Sequence, residues 1–179
     1  QNTVLMDAGC TSGAGQQAAD YDAGGKSDWF LPSKDELNAM YGYKNSIVDT
    51  ETYGFASDYY YWSSSQDTRF DAWSQRLDNG FPTIWSKGSM LRGVRPVRAF
   101  DASSPVTYAL GDTGPGGGLV FLISGGQTYE MAPKTWGVNE GTGIKWCDAK
   151  MATFAGTFGT AIGTGAKNTE WMDDGCTSG

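Results

Sequence analysis

The chain has 179 residues, a formal net charge of −7 and no histidine. An acidic balance argues against nucleic acid and anionic membranes as partners, since both select a basic face, and the missing histidine removes the commonest general base and metal ligand. No apolar run approaches the ~20 residues of a membrane span; abundant Gly, Trp and Tyr beside sparse Lys and Glu suit a loop-rich, aromatic-cored extracellular domain.

The length predicts one domain with a substantial core. The first segment met is half of a repeat: NTVLMDAGCTSG at residues 2–13 returns as NTEWMDDGCTSG at residues 168–179. Self-similarity at a fixed offset marks a tandem array. With a period the size of a domain, the expectation is beads on a string. Residues 1–100 are then the C-terminal part of one copy, 101–107 (DASSPVT) a linker, and 108–179 the N-terminal part of the next, together one domain equivalent. Cys10 and Cys176 occupy the same place in successive copies and Cys147 is the other cysteine, so each period holds two. That count predicts a Cys147–Cys176 disulfide, with Cys10 paired to the preceding copy, in an oxidising compartment. Two unrelated buried thiols are the alternative.

In chain order, residues 14–23 predict a short helix with Ala18, Ala19 and Tyr21 inward, ended by Gly24 and Gly25. Ser33 and Glu36 form a capping box, and Leu37, Met40 and Tyr41 at helical spacing predict a second helix that stops at Gly42. From Tyr59 the period changes to two. Residues 60–65 and 70–77 read as strands, and Asn79-Gly80 as a hairpin turn. Residues 81–87 form the return strand, which Pro82 confines to an edge or a bulge; residues 93–98 close this β region. After the linker, residues 119–123 and 128–132 predict a second hairpin around Gly125 and Gly126. Trp136 and Trp146 flank a further loop, and a small-residue stretch runs over 152–165.

The chemistry-bearing motifs are weak. Gly25-Lys26-Ser27 resembles the end of a phosphate loop, but Asp20 stands where the pattern needs Gly. Residues 114–118 (GPGGG) lack the Lys and precede a strand. Asp35, Glu36, Asp71, Asp78 and Glu130 are available carboxylates without a histidine partner, and residues 63–65 (SSS) offer hydroxyls without a base to activate one. Acidic oxygens could hold Ca²⁺, yet no spaced acidic loop occurs, and Asp173 and Asp174 read as a solvated turn. No catalytic residue, metal site or cofactor is expected. The aromatic residues on the predicted strands are the stronger signal. With the polar residues between them they predict a recognition face comprising Tyr61, Arg69, Trp73, Gln75, Asn79, Trp85 and Lys87. Core packing is the alternative for each.

At DWFLPSKDELN (residues 28–38), YWSSS (61–65), Ala72-Trp73 and RGVRPVRAF (92–100) the chain resembles the C-terminal domain of the Legionella collagen-like adhesin, a family related to Fibrobacter paralogous surface domains. GDTGPGGGLVF (111–121), EMAP (130–133) and TAIGTGAKNT (160–169) resemble the beginning of the same domain. In the family the glycine-rich segment comes first and the Arg-Pro-Val-Arg ending last; here the order is reversed. The resemblance implies an α+β, C-type-lectin-like fold with two short helices against a twisted antiparallel sheet, here cut as a permuted repeat. It implies secreted or surface-bound modules for adhesion. Ligand contacts in related variable receptors would fall on strands between Trp62 and Lys87. Related formylglycine-generating enzymes depend on a cysteine pair, and no cysteine lies between Trp29 and Arg98.

The expected function is a non-enzymatic structural and adhesive repeat of an extracellular bacterial surface protein or filament, its neighbouring copies head to tail. The alternative is a discrete lectin-like module for a glycan or protein ligand. No nucleic acid and no membrane insertion are expected.

Overall fold

Glu36 shows how this sequence builds its core. In the computed structural model, Ser33 Oγ accepts from Glu36 N at 3.3 Å and the Glu36 carboxylate accepts from Ser33 N at 2.7 Å, the expected capping box. It starts helix α2 (Lys34–Tyr43), which buries Leu37 and Met40. The helix passes through Gly42 rather than stopping there. Its end is tightened instead by a 3₁₀ turn, Lys44–Ser46. Glu36 also accepts from Gly163 N at 2.7 Å, tying the helix start to the far end of the chain.

The structure describes residues 12–102, 106–137, 140, 142–147 and 158–177, the last five of these by backbone alone. Residues 2–11 of the repeated segment, the linker core at 103–105 and residues 152–157 of the small-residue stretch lie outside them, as do the side chains of Cys10 and Cys176. Among the described residues the architecture is α+β. Besides α2 it has α1 (Ala14–Ala19), α3 (Thr50–Tyr53) and α4 (Gly165–Thr177), with strands β1 (Tyr60–Gln66), β2 (Asp71–Arg76), β3 (Pro82–Ser86), β4 (Val97–Asp101), β5 (Leu119–Ser124) and β6 (Gln127–Met131).

The strands form two antiparallel three-stranded sheets, β1-β2-β3 and β4-β6-β5, where a single sheet was expected. The second sheet spans the expected linker. Strand β4 ends at Asp101, the first residue of that linker, and it pairs with β6, Arg98 opposite Glu130 and Val97 opposite Met131. Residues from both sides of the linker therefore complete one sheet and one core.

Two apolar clusters fill the molecule, and β1 separates them. Tyr61 packs with Phe30, Leu37, Met40, Leu77, Val97, Phe121 and Met131. Trp62, pointing the other way as strand geometry requires, packs with Ala18, Leu31, Ala72, Val94, Trp146 and Met172. A strand buried on both faces explains why neighbouring positions are both apolar. The serines that follow are buried connectors. Ser63 Oγ donates to Trp73 O at 3.0 Å, Ser64 Oγ accepts from Asn168 Nδ2 at 3.1 Å, and Ser65 Oγ donates to Gly159 O at 2.7 Å.

Helix α4 corrects the expected turn at Asp173 and Asp174. Its sequence, rich in Gly, Asp and Thr, has poor intrinsic helicity; tertiary contacts override this. Thr169 Oγ1 accepts from Leu31 N at 3.0 Å, and Met172 is buried against α1. Close packing of the two helices needs Gly15, where an added Cβ would lie 2.8 Å from Met172 Cε. Helix α1 is shorter than expected and leads with Ala14, Gly15 and Ala18, while Tyr21 lies beyond it, edge-on to Trp29 and Trp136.

The glycine-rich segment at residues 114–118 wraps an internal carboxylate. Glu130 on β6 is fully buried and accepts from Gly116 N at 3.0 Å, Gly118 N at 2.9 Å and Arg98 Nη1 at 2.9 Å. A Cβ at Gly114 would sit 2.4 Å from the Glu130 carboxylate, so the backbone can close around it only as glycine. Glu130, a candidate acid at the outset, is thus a structural anchor.

Candidate functional site: a cleft between α2 and the first sheet

The capping box aims the first turn of α2 across strands β1–β3, and a cleft of about 240 Å³ opens between them. Its walls are Trp73, Pro82 and Leu37, and its polar lining includes Lys34, Asp35, Asn38, Ser63 and Gln75. Lys34 and Asn38, one helical turn apart, share a face. The Lys34 ammonium stands 4.1 Å from the centroid of the Trp73 ring. Gln75 Nε2 donates to Asn38 Oδ1 at 2.8 Å and to Gly80 O at 3.0 Å. This bridge turns the two Asn38 Nδ2 protons away from Gln75.

The expected recognition face divides. Register places Ala72 opposite Trp85 and Trp73 opposite Ile84, so Trp73 and Trp85 project from opposite faces of the sheet. Trp73 and Gln75 line the cleft. Trp85 lies on the side of Ala72 and Trp62. Tyr61 shares the Trp73 face but is fully buried, its hydroxyl accepting from Ala56 N at 2.9 Å; burial holds its phenol well above the usual range. Arg69 and Asn79 are exposed in the loops at the strand ends, Asn79 Oδ1 accepting from Phe81 N at 2.9 Å.

Lys87 is fully buried. Its ammonium donates to Gln66 Oε1 and to Arg69 O, and it stands 4.6 Å from the centroid of Trp146. Desolvation lowers its pKa to about 8, opposed by the nearby Asp71 carboxylate. It is a core residue rather than a surface contact.

A second polar centre joins Arg95 and Glu140, 2.5 Å apart and both buried. Arg95 also donates to the backbone oxygens of Tyr53, Gly54 and Ala132. Burial pushes the Glu140 carboxyl up to about 7, with Arg95 acting in the other direction. On the face opposite the cleft, the Arg92 guanidinium lies 4.7 Å from the centroid of Trp85 and 5.1 Å from that of Tyr60. Among the described residues the buried Arg92 Nε and Trp85 Nε1 have no hydrogen-bond partner, and burial lowers the Arg92 pKa.

Sequence reasoning found Trp73 and Gln75 but missed Lys34, Asn38 and Pro82 as their neighbours. The usable signal was the capping box, because fixing the helix start also fixes which residues of its first turns meet the sheet. Among the described residues no group of His, Cys, Asp and Glu could hold a metal ion, and no helix is long and apolar enough to cross a membrane.

The profile of the Lcl C-terminal domain family matches residues 5–98, more than half of the chain. No curated protein and no solved structure matches it.

Proposed function

The chain belongs to the Lcl C-terminal domain family, and from that premise we propose that it is a non-enzymatic adhesive domain of an extracellular bacterial surface protein, with copies joined head to tail. The family, named for the Legionella collagen-like protein, supports an adhesin-type domain at the cell surface. A C-type-lectin-like architecture belongs to the same proposal, supported by short helices packed on small antiparallel sheets.

The observation that carries the head-to-tail reading is the partnership of the two chain halves. Strand β4 pairs with β6, and α1 packs on α4, the helix that contains residues 168–177 of the second copy of the repeated segment. In an array the residue after Gly179 is the equivalent of Ala14, so α4 leads directly toward α1 of the next period. Elements that meet here within one chain then meet across the junction of two periods. Such a contact is heterologous, and it extends into a fibre where the rotation between copies does not close.

A disulfide between Cys147 and Cys176 completes the proposal. Cys147 is fully buried in the cluster that also holds Trp146 and Met172, which supports the pairing. The bridge would pin the start of the next period to the core of the one before it. No cofactor enters this reading.

The test is adhesion of beads carrying the folded domain, singly or as a genetically joined two-period chain. Both should be retained on bacterial or host cell surfaces, the two-period chain more strongly through avidity. Retention no greater than that of beads carrying the unfolded chain would overturn the adhesive reading.

A further inference from the structure

We propose that the groove holding α4 is a shared seat for both copies of the repeated segment, so that residues 2–13 of the same chain replace residues 168–179 in it when α4 is weakened. The inference rests on the head-to-tail reading and names the joint at which one period hands over to the next. Three observations carry it.

The first is which residues the two copies share. Three side chains fix α4 in its groove, Asn168, Thr169 and Met172, and each is at most 2% exposed. Asn168 Nδ2 donates to Ser64 Oγ at 3.1 Å and to Gly159 O at 2.8 Å. Thr169 Oγ1 accepts from Leu31 N at 3.0 Å, and Met172 fills the space that Gly15 leaves on α1. In the first copy the same places are held by Asn2, Thr3 and Met6. The copies differ at Glu170, which is exposed, and Trp171, which is half-buried; Val4 and Leu5 stand there in the first. The third difference, Asp174 for Ala8, falls where α4 is described by backbone alone. The inward stripe of the helix is thus identical in the two copies, and that stripe is what a groove reads.

The second is where the first copy ends. Residue 13 runs straight into Ala14, the first residue of α1, and α1 is a wall of the groove. A segment tethered beside its seat has a high effective concentration there and needs no second molecule.

The third is how little separates the two occupants. Glu170 pairs with Lys167 at 2.7 Å, and Trp171 stands edge-on to Phe158 at 5.7 Å. Val4 and Leu5 supply neither contact. α4 also brings its first turn, from Gly165, which the first copy lacks. These differences favour α4, the occupant seen. Yet an exposed ion pair is weak, and one aromatic pair is worth less than one buried methionine. Loss of the Met172 anchor therefore reverses the preference. With the first copy seated, residues 168–179 are released and carry the same three anchors onward to the next period.

The experiment is thermal unfolding of the intact chain with its thiols reduced, so that no Cys147–Cys176 bridge holds α4 in place. Met6→Ala alone should leave the midpoint within about 2 °C of the parent. Met6→Ala with Met172→Ala should show the full loss for one buried methionine, roughly 4–20 °C in a chain of this size. Met172→Ala alone should stop well short of that loss. Val4→Ala, at the outward position, should add nothing to Met172→Ala. Amide exchange should show protection moving from residues 168–177 in the parent to residues 2–11 in Met172→Ala, a readout that holds even where the double variant fails to fold. Met6→Ala silent in both backgrounds, or equally costly in both, overturns the proposal. So does a Met172→Ala midpoint that rises with protein concentration, because a second copy's segment then fills the seat. These failures with β4 and β6 still protected together would sink the shared seat alone; β4 and β6 unprotected in the parent would sink the head-to-tail reading with it.

Discussion

Replacing Glu130 by alanine tests the claim that the glycine-rich segment exists to enclose a carboxylate. The fully buried side chain accepts from Gly116 N and Gly118 N and pairs with Arg98. Truncation leaves two buried amides without an acceptor, each costing about 1–3 kcal/mol. It also removes the buried partner of Arg98, which keeps only the more exposed Asp28. Removing one member of a buried pair costs about 3–5 kcal/mol, and that range absorbs the amide penalty because the same contacts are involved. For a chain of this size each kcal/mol shifts the melting midpoint by about 2–4 °C, so the expected fall is roughly 6–20 °C. Scanning calorimetry and urea titration at neutral pH both measure it. Glu130→Gln should fall between alanine and the parent, since one amide oxygen can serve only part of the donor set. A midpoint for Glu130→Ala within about 2 °C of the parent, less than 1 kcal/mol, would show that the loop closes without the carboxylate, and the reasoning would be wrong.

Three further outcomes follow from the same structure. At Gly80, φ is 76° and an added Cβ would lie 2.4 Å from Tyr41 Cε1; Gly80→Ala should destabilise by about 1–3 kcal/mol in urea unfolding, and a neutral effect would refute the close approach. Lys87 has a folded-state pKa lowered to about 8 from 10.5. The unfolded chain then binds more protons between those values, and its contribution makes stability rise with pH across that window. In Lys87→Met this alkaline rise should be absent from denaturation midpoints. Glu140, raised to about 7 from 4.5, works in the opposite sense. The folded chain holds its proton longer, so this group's contribution falls as pH climbs from about 4.5 to 7, and Glu140→Gln should flatten that part of the profile.

Much of the fold was readable where the signal is local. The capping box at Ser33 and Glu36, the period-two strands and the placement of Pro82 at the start of edge strand β3 follow from backbone rules that operate within a few residues. The Asn79-Gly80 turn is present in a wider form, with β2 ending at Arg76 and β3 starting at Pro82. Helix α4 was not readable, because its residues favour turns and only Leu31, Ser64 and the α1 surface make it a helix. The site was half readable. Alternation shows that Trp73 differs in direction from Ala72, but it cannot say which face stays open. Pairing register decided that, putting Trp85 on the Ala72 side and Lys87 beneath Trp146. The role of the glycine-rich segment was equally hidden, since Glu130 lies on a different strand and only folding brings it to Gly116 and Gly118.

The most direct measurement on the whole account is a rearranged chain in which residues 106–179 come first and 14–102 follow without a spacer. The second copy of the repeat then supplies what residues 2–13 supplied before, and strands β5, β6 and β4 occur in the order of one family domain. The account predicts one cooperative melt within a few degrees of the parent, with amide exchange protecting β4 and β6 together. On oxidation Cys147 and Cys176 should lose the mass of two hydrogens. A rearranged chain that stays unfolded, or two separate melts with β4 unprotected while β5 and β6 are protected, would contradict the claim that both sides of the linker build a single unit.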